Sequence, residues 1–473
     1  MNIRFFCVGF FVLLLVGCSQ KHDGYTIDVN TSGSWDLSMK SKKDSITDKF
    51  DDTKWWSSFG DKTLLSLIDK GIKNNKDLKI ARLNVKTARA MQDVASSGFY
   101  PKVNADASLQ HQGVSKYSGM VLPGMPMDKN VFSVGFDASW EIDIFGGVRN
   151  SVDAESAKAD ALNEDAKWTM VSVCSEIAKN YISYKSALNR QNIAQQKVDI
   201  QKEILEIIKQ KQKIGDASEF ELIRAKSTLY SMQSALAQAN LDARLLIYRL
   251  SVLIGEAPDT LVGELAGVQT ATNEPLDIVP VGLRSDILKR RPDIKSALDN
   301  LKSKNSELKA ADADFFPKFY LTGSVSSQTL SFADLFKAGS GAWSVGPVLN
   351  WPIFRGGEIA AMVRAKDSET QIAAAIYEKS VLNALEDAES ALSRYAQDMS
   401  SHRFTKKSFD EGQKNLFLSK RRFEIGESDK IAYLEAKQNM LNTQDVTEQS
   451  RLKVFLDLVS LYKALGGDFR NIN

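Results

Sequence analysis

The sequence is poor in the residue types from which catalytic and metal sites are usually built. It contains three histidines, His22, His111 and His402, and these are scattered rather than grouped at metal-ligand spacing. No Ser-His-Asp or Cys-His constellation is recognisable either. We therefore expect no enzymatic activity, no catalytic residue, no metal site and no cofactor other than a covalent lipid.

An excess of charge of one sign and long apolar segments are also missing. The net charge is +2, from 61 basic and 59 acidic residues, which gives no electrostatic footprint for nucleic acid. After position 18 no apolar run reaches the length of a membrane helix. If the chain crosses a membrane, it must do so with strands.

The first 18 residues have the pattern of a bacterial export signal. Arg4 precedes the apolar run FFCVGFFVLLLVG, which is too short to span a bilayer comfortably. The run ends in LLVGC, which resembles a lipobox. This pattern predicts a signal peptide over 1–17 and a lipid on Cys18, whereas the alternative is an ordinary signal peptide with a chance cysteine. Ser19 favours sorting to the outer membrane, because lipoproteins retained elsewhere usually carry Asp there.

Cysteine is scarce enough to exclude an intrachain disulfide. The chain has three cysteines; by the pattern above, Cys7 would leave with the signal and Cys18 would carry the lipid. Only Cys174 remains, so it has no partner even in an oxidising compartment. We expect Cys174 to be a buried small apolar residue on a helix.

The mature sequence contains one unit twice. The phrase FYPK at Phe99 returns as FFPK at Phe315, 216 positions later, and the helical stretch before it repeats at the same offset. Further along the offset is 211, where Trp140 matches Trp351 and KIGDAS at Lys213 matches EIGESD. Each unit is predicted to run helix, strand, loop, strand, long helix, tight turn and return helix.

Four stretches alternate between apolar and polar residues. They are 103–110, 132–142, 319–325 and 343–351. This period of two predicts strands with one apolar and one polar side. Strands of this length and pattern are typical of transmembrane β-barrels, with the apolar side toward lipid and the polar side toward the lumen.

The segments after the second strand of each unit predict long helices. A double glycine, Gly146–Gly147 or Gly356–Gly357, marks the change from strand to helix. The first long helix is expected from about Val148 to about Ile214 without proline, and so to measure about 100 Å. In its return helix, apolar residues step by 3 and 4, which favours a left-handed coiled coil over a simple amphipathic core helix. These residues are Leu222, Ala225, Leu229, Met232, Leu236, Ala239, Ala243, Leu246, Leu250 and Leu253.

Taken together, these patterns are similar to the TolC family of outer-membrane efflux proteins, in its lipoprotein branch. The stretches that carry the resemblance are LLVGC ending at Cys18, WWSSFGDKTLLSLIDKGIKNNKDL from Trp55, VPVGLRSDILKRRPDI from Val279, FFPKF from Phe315, WPIFRGG from Trp351 and LYKALGG from Leu461. The resemblance covers nearly the whole mature chain. It implies an α+β membrane protein that forms a homotrimer, with four strands per chain.

The resemblance also implies the assembly and its setting. The three chains would close a 12-stranded β-barrel in the outer membrane, continued into the periplasm by a long α-helical coiled-coil barrel. The expected divisions are a signal peptide over 1–17, a lipidated segment over 18–62 around the equator of the tunnel, and two structural repeats over 63–280 and 281–473. The expected partners are outer-membrane lipid, an inner-membrane efflux pump and a periplasmic adaptor, and not nucleic acid.

The implied function is passive conduction of substrates from the pump to the exterior. The alternatives are the exit duct of a type I secretion system and a periplasmic adaptor or scaffold lipoprotein without channel activity. An adaptor would insert one helical hairpin among soluble β-domains, whereas this sequence has two hairpins and two strand pairs. Met120, Met125 and Met127 lie in the first strand-to-strand loop; thioethers can bind Cu(I), but an ordinary flexible loop is the favoured reading.

Family likeness places a periplasmic gate near the two helical turns. Ile431 aligns with an apolar constriction and Glu435 with an acidic ring, and Phe220 and Arg224 hold the corresponding positions in the first unit. Where some relatives carry an arginine, this chain has Gln438. We therefore consider an Arg224–Glu435 latch between neighbouring helices, with two solvated tip charges as the alternative.

The helical turns themselves are the expected docking sites for the adaptor. The residues of the two tips are Gly215, Asp216, Ser218, Gly426, Glu427 and Ser428. Ser218 and Ser428 are also the predicted N-caps of the two return helices.

Overall fold

The computed structural model describes residues 59–113, 115, 128–268 and 290–467. Cys18, the three methionines at 120, 125 and 127 and most of the connector before Arg291 lie outside these residues. The described elements are α1 (Lys62–Asn74), α2 (Lys76–Ser96), β1 (Lys102–Gly113), β2 (Asp128–Ile142), α3 (Gly147–Lys213), α4 (Glu219–Leu253), α5 (Leu261–Glu264), α6 (Pro292–Ala313), β3 (Lys318–Thr329), β4 (Gly341–Asn350), α7 (Glu358–Glu424) and α8 (Lys430–Ala464).

The two halves of the chain have the same element order and nearly equal lengths. The long helices α3 and α7 have 67 residues each, and the return helices α4 and α8 have 35 each. At 1.5 Å per residue, each long helix measures about 100 Å. The predicted long helix after the second strand is thus found within one residue of its expected start and end.

The four strands form one antiparallel sheet in the order β1-β2-β3-β4. In the first hairpin Lys102 lies opposite Ser139, and in the second Lys318 lies opposite Asn350. Adding 216 to the β1 residue and 211 to the β2 residue converts the first pair into the second. The sequence offsets therefore describe strand pairing as well as strand order.

Glycine sits where each strand turns into a long helix. Gly146 caps α3 with φ of 80°, and Gly357 caps α7 with φ of 88°. This left-handed conformation is costly for residues with a Cβ atom. The double glycines thus mark the strand-to-helix change, with equivalent caps 211 positions apart.

The main core lies where α1, α3, α4, α7 and α8 meet. Cys174 and Ile177 on α3 are fully buried there, and Leu250 on α4 and Val454 on α8 pack into the same cluster. Burial raises the pKa of the Cys174 thiol to about 12, so this thiol stays protonated and unreactive. The expectation of a buried, structural Cys174 is confirmed.

The coiled-coil stripe of α4 packs against α3. Ala225 and Leu229 are buried with Val198 and Leu205 of α3, and Leu222, Met232 and Leu236 lie partly buried beside them. The apolar residues that step by 3 and 4 along α4 therefore pack against α3 of the same chain.

Arg291 joins four helices at one point. Its guanidinium donates to Asp293 on α6 at 3.0 and 2.7 Å, to Asp387 on α7 at 3.1 Å and to the Ala464 carbonyl of α8 at 3.2 Å. The ring of Trp168 on α3 lies 4.9 Å from the guanidinium carbon. Arg291 is 2% exposed, so its charge is buried. The hydrogen bonds to two carboxylates and one carbonyl compensate for the loss of water around the guanidinium.

Asp61 fastens the start of α1 to α3. One carboxylate oxygen accepts from the backbone N–H of Thr63 at 2.9 Å and caps the helix. The other accepts from the Tyr181 hydroxyl at 2.9 Å and the Lys185 ammonium at 3.0 Å. Burial alone raises the pKa of Asp61, but the hydrogen bonds from Lys185 and Tyr181 outweigh it and hold that pKa below its ordinary value.

This arrangement predicts how Asp61 contributes to stability against pH. Because the folded-state pKa is lowered, the contribution is present above the unfolded pKa of about 3.9 and is lost as pH falls through the folded value. Asp61→Asn is expected to lose about 1 kcal/mol at neutral pH, chiefly from the charge-assisted hydrogen bonds to Lys185 and Tyr181, because asparagine still caps the helix, and to have a flatter stability profile between about pH 5 and 3. Thermal melts followed by circular dichroism across that range check it. Asp93→Asn, an exposed carboxylate on α2, serves as the control; equal flattening in both variants contradicts the assignment.

Candidate functional site

The sheet has one apolar and one polar side, as the alternation predicted. The apolar side is the more exposed one: Phe136 is 60%, Val325 is 63% and Trp343 is 78% accessible. These three residues lie in one row, because Phe136 is opposite Val325 and Val325 is opposite Trp343. An exposed apolar band of this kind suits contact with lipid rather than with water.

The polar side carries a row of hydrogen-bonding residues across all four strands. Asn104, Asp137, Ser324 and Ser344 are opposite one another in turn. The Asn104 amide donates to Asp137 at 3.1 Å, and the hydroxyls of Ser324 and Ser344 are 2.9 Å apart. Asp106 lies on the same side in the next row. The arrangement can line a hydrated passage with a negative belt.

The basic side chains on the polar side lie toward the strand ends. Lys102 and Lys318 are at the helical end of the sheet, and Lys129 is near the opposite end. Asp106 and Asp137 lie between them, and the third carboxylate of this side, Glu141, lies toward the helical end. The middle of this surface is therefore negative, although the full set of charges is balanced.

A tryptophan closes each helix-to-strand junction. The Trp140 indole N–H donates to the Phe99 carbonyl at 3.0 Å, and the Trp351 indole donates to the Phe315 carbonyl at 3.1 Å. Phe145 stacks on Phe316 with ring centroids 4.7 Å apart, which joins the first unit to the second. These bonds were not predicted from the sequence, although the matched Trp140 and Trp351 and the repeated aromatic-Pro-Lys phrase were their signal.

The two hairpin tips have equivalent turns and different caps. Gly215 and Gly426 both adopt positive φ, 82° and 78°. Ser218 caps α4 in a capping box with Glu221, as predicted for Ser218. The prediction for Ser428 is wrong, because the cap of α8 is Asp429, whose carboxylate accepts from the Ala432 N–H at 2.8 Å. At the offset of 211, Asp429 and not Ser428 is the counterpart of Ser218.

Ion pairs join the tip of one hairpin to the tip of the other. Lys211 at the end of α3 lies 3.5 Å from Asp429, and Lys430 at the start of α8 lies 2.5 Å from Glu203 on α3. The remaining tip residues predicted for docking, Asp216 and Glu427, have exposed side chains. The paired tips thus present one charged surface at the end of the molecule farthest from the sheet.

The predicted gate residues lie on two helices that flank α3. Phe220 is 73% exposed at the start of α4, and Ile431 packs at the edge of a small core cluster between α3 and α8. Arg224 and Glu435 both have exposed side chains. In the part of the chain that the structure describes, no ion pair joins Arg224 to Glu435.

Gln438 has a partner inside its own chain. Its amide donates to the Gln201 side chain at 2.9 Å, and the Gln201 amide donates to the Ala225 carbonyl at 3.2 Å. The three residues lie on α8, α3 and α4. Neutral glutamine side chains therefore join these three helices at the position where some relatives carry an arginine.

Among the described residues, no group of three or more His, Cys, Asp and Glu side chains is arranged to hold a metal ion. His111 lies on the sheet beside Asn130, 2.9 Å away, and His402 is buried on α7.

The described part of the chain contains no helix with the length and apolar character needed to cross a membrane.

Comparison with known proteins gives a consistent result over nearly the whole chain. The profile of the family described as "Outer membrane efflux protein" matches residues 67–256 and 283–467. A probable efflux pump outer membrane protein, TtgC of Pseudomonas putida, is 27% identical over 467 residues, which are 96% of this chain and 93% of that protein. The cation efflux system protein CusC of Escherichia coli is 26% identical, with 98% of each chain covered.

Solved structures share the fold. The CmeC outer membrane channel of Campylobacter jejuni superposes with a TM-score of 0.88 at 26% identity, covering 96% of each chain. The open state of the MtrE outer membrane channel of Neisseria gonorrhoeae gives a TM-score of 0.79 at 25% identity, covering 94% of this chain and 97% of that one.

Proposed function

The chain belongs to the outer membrane efflux protein family, and from that premise we propose that three copies assemble into one continuous duct. The protein is an outer-membrane channel component of an efflux system, a transporter rather than an enzyme. In our proposal the sheets of three copies form a 12-stranded barrel across the outer membrane. The long helical hairpins continue it as a tunnel into the periplasm.

The two-sided sheet is the observation that carries this proposal. Four strands cannot close a barrel, and an open strand edge is not tolerated in lipid. Within the described strands, β1 and β4 each have only one neighbour. Copies of the same chain supply the missing neighbours, and the exposed apolar side then faces lipid while the polar side faces the lumen.

We propose an inner-membrane pump and a periplasmic adaptor as the partners of this duct. A passive duct needs an energised pump in the inner membrane and an adaptor that bridges the periplasm. The charged surface of the paired tips, with Asp216 and Glu427 exposed, is the proposed docking site for the adaptor. Type I secretion remains the alternative use of such a duct.

We also propose that Cys18 carries the lipid anchor, after removal of residues 1–17, and that residues 18–62 lie around the tunnel equator. The support is the lipobox-like LLVGC and the serine that follows it. The divisions at 63–280 and 281–473 then correspond to the two repeats. Labelling with radioactive palmitate checks the anchor, and label that persists in Cys18→Ser contradicts it.

Fractionation and planar-bilayer recording test the channel directly. The full-length protein is expected in the outer-membrane fraction, and the purified protein is expected to produce stepwise single-channel currents in a lipid bilayer. A protein that is released as a soluble species and never conducts contradicts the proposal.

The gate residues give a separate prediction for this channel. If Arg224 of one copy pairs with Glu435 of another, both Arg224→Ala and Glu435→Ala are expected to raise the single-channel conductance, because each removes one side of the latch. The alternative of two solvated charges, worth under about 1 kcal/mol, predicts no change. Lys226→Ala, which removes an exposed charge two positions away on α4, is the control. Unchanged conductance in both gate variants contradicts the latch.

A further inference from the structure

The pairing of β2 with β3 within the chain predicts how two copies pair with each other. The junction of β2 with β3 joins the second strand of the first unit to the first strand of the second unit. In a ring of copies, β4 of one chain and β1 of the next stand in the same relation. The inference rests on the assembly proposed above. It specifies the seam, which is the contact between β4 of one copy and β1 of the next, together with the helices below these strands.

The repeat offsets of 211 and 216 residues convert a residue pair of the β2–β3 junction into the corresponding pair of the β4–β1 junction between copies. Ala138 on β2 lies opposite Gly323 on β3. Adding 211 to the first and subtracting 216 from the second gives Leu349 and Ala107. The same two offsets relate the registers of the two hairpins within the chain, so they are valid for strand pairing. Both Leu349 and Ala107 lie on the apolar side, as an aligned seam requires.

The helices below the sheet give a second, independent part of the same seam. The Ser303 hydroxyl of α6 donates to the Ala154 carbonyl of α3 at 2.8 Å. Seven residues along these antiparallel helices, Ser296 and Ala161 are 4% and 1% exposed. Two turns of helix return to the same face, so this pair lies in the same α3–α6 contact.

The offsets transfer this helical contact to the open sides of the chain. The counterparts of Ser296 and Ala161 are Ile80 on α2 and Ile372 on α7. These are 56% and 60% exposed in one chain, although both are large and apolar. A neighbouring copy is the occupant that the repeat predicts for both surfaces, and it would bury them against each other.

We propose that neighbouring copies join with Leu349 of one opposite Ala107 of the next in the sheet, and with Ile372 of one packed against Ile80 of the next in the helices. One pair of offsets fixes the register on two levels, in the sheet and in the helices, which lie about 25 residues apart along the chain. A slip of two residues keeps the apolar side outward, so the helical contact selects among registers that the sheet alone permits.

Cysteine cross-linking in the full-length protein tests the register. The variants are Leu349→Cys with Ala107→Cys, treated with a reagent that bridges about 5 Å, and Ile372→Cys with Ile80→Cys, oxidised to a disulfide. Both pairs are expected to give dimer and trimer bands on a denaturing gel. Bridging within one chain is excluded for the strand pair, because β1 and β4 are separated by two strands, about 14 Å.

Matched controls shift one member of each pair along its own element. Leu349→Cys with Val103→Cys moves the β1 cysteine by about 13 Å, and Ile372→Cys with Met91→Cys moves the α2 cysteine by about 16 Å. Val103 and Met91 are exposed, at 64% and 48%. These pairs, and the four single-cysteine variants, are expected to stay monomeric on the gel. Cys174 is buried in every variant.

The outcomes separate the seam from the assembly. Native mass measurement in detergent gives the oligomeric state without a cross-link. A trimer whose matched pairs do not cross-link, or whose shifted pairs cross-link instead, overturns the seam and leaves the channel intact. A protein that is monomeric by mass overturns the trimer and the seam together.

Discussion

In planar bilayers, the channel is expected to prefer cations over anions, and replacing both Asp106 and Asp137 with asparagine is expected to remove most of that preference. The two carboxylates lie in neighbouring rows at the middle of the polar side of the sheet, whereas the lysines of that side lie toward its ends. In the proposed trimer they would form a belt of negative charge around the lumen. Rings of acidic side chains are a general means of cation selection in pores.

The expected effect is a several-fold fall in the cation-to-anion permeability ratio, measured from the reversal potential in a salt gradient. The single variants are expected to lie between the double variant and the unaltered protein. Asparagine keeps the size of the side chain, and the Asn104 amide can still find an acceptor at position 137. The sheet should therefore stay folded.

Asp128→Asn is the matched control for this experiment. It removes the same charge from β2, but at the end of the strand, opposite Gly113 and on the apolar side. Its permeability ratio is expected to be unchanged. A double variant that conducts normally with the original ratio contradicts the selectivity role of the belt, while the channel itself stands.

Arg291→Ala is expected to lower the free energy of unfolding by about 3 kcal/mol, more than Asp61→Asn does. The substitution removes four hydrogen bonds, of which two hold the start of α6 to α7 and to the end of α8 and two bind Asp293 on α6 itself. It also leaves Asp293 without its cation and the Ala464 carbonyl without this donor. Uncompensated buried polar groups are the costly result of removing one partner of such a cluster.

Thermal unfolding in detergent, followed by the loss of helical circular dichroism, measures this effect. Arg291→Lys is expected to fall between the alanine variant and the unaltered protein, because an ammonium cannot reproduce the forked geometry toward Asp293 and Asp387. Arg244→Ala, an exposed arginine on α4, should change the melting temperature little. Equal melting temperatures for Arg291→Ala and Arg244→Ala would show that the cluster adds nothing.

Much of the fold follows from local patterns in the sequence. The period of two identified both sides of the sheet, and the steps of 3 and 4 in α4 identified the face that packs against α3. Those signals are readable because the residues involved are close together in the chain. The N-cap of α8 was misread for a related reason: Ser428 and Asp429 are adjacent and both are good caps, so local preference could not choose between them.

The order of the elements, the length of the first long helix, the two sides of the sheet and the repeat were readable in the sequence, because each is encoded by periodicity or by matching phrases. Which polar groups meet depends on the folded structure. Asp61 binds Tyr181 from 120 positions away, and Arg291 reaches Ala464 across 173. Such contacts depend on how the helices pack, and no local pattern specifies them. The same holds for Gln438, whose bridge to Gln201 joins residues 237 positions apart.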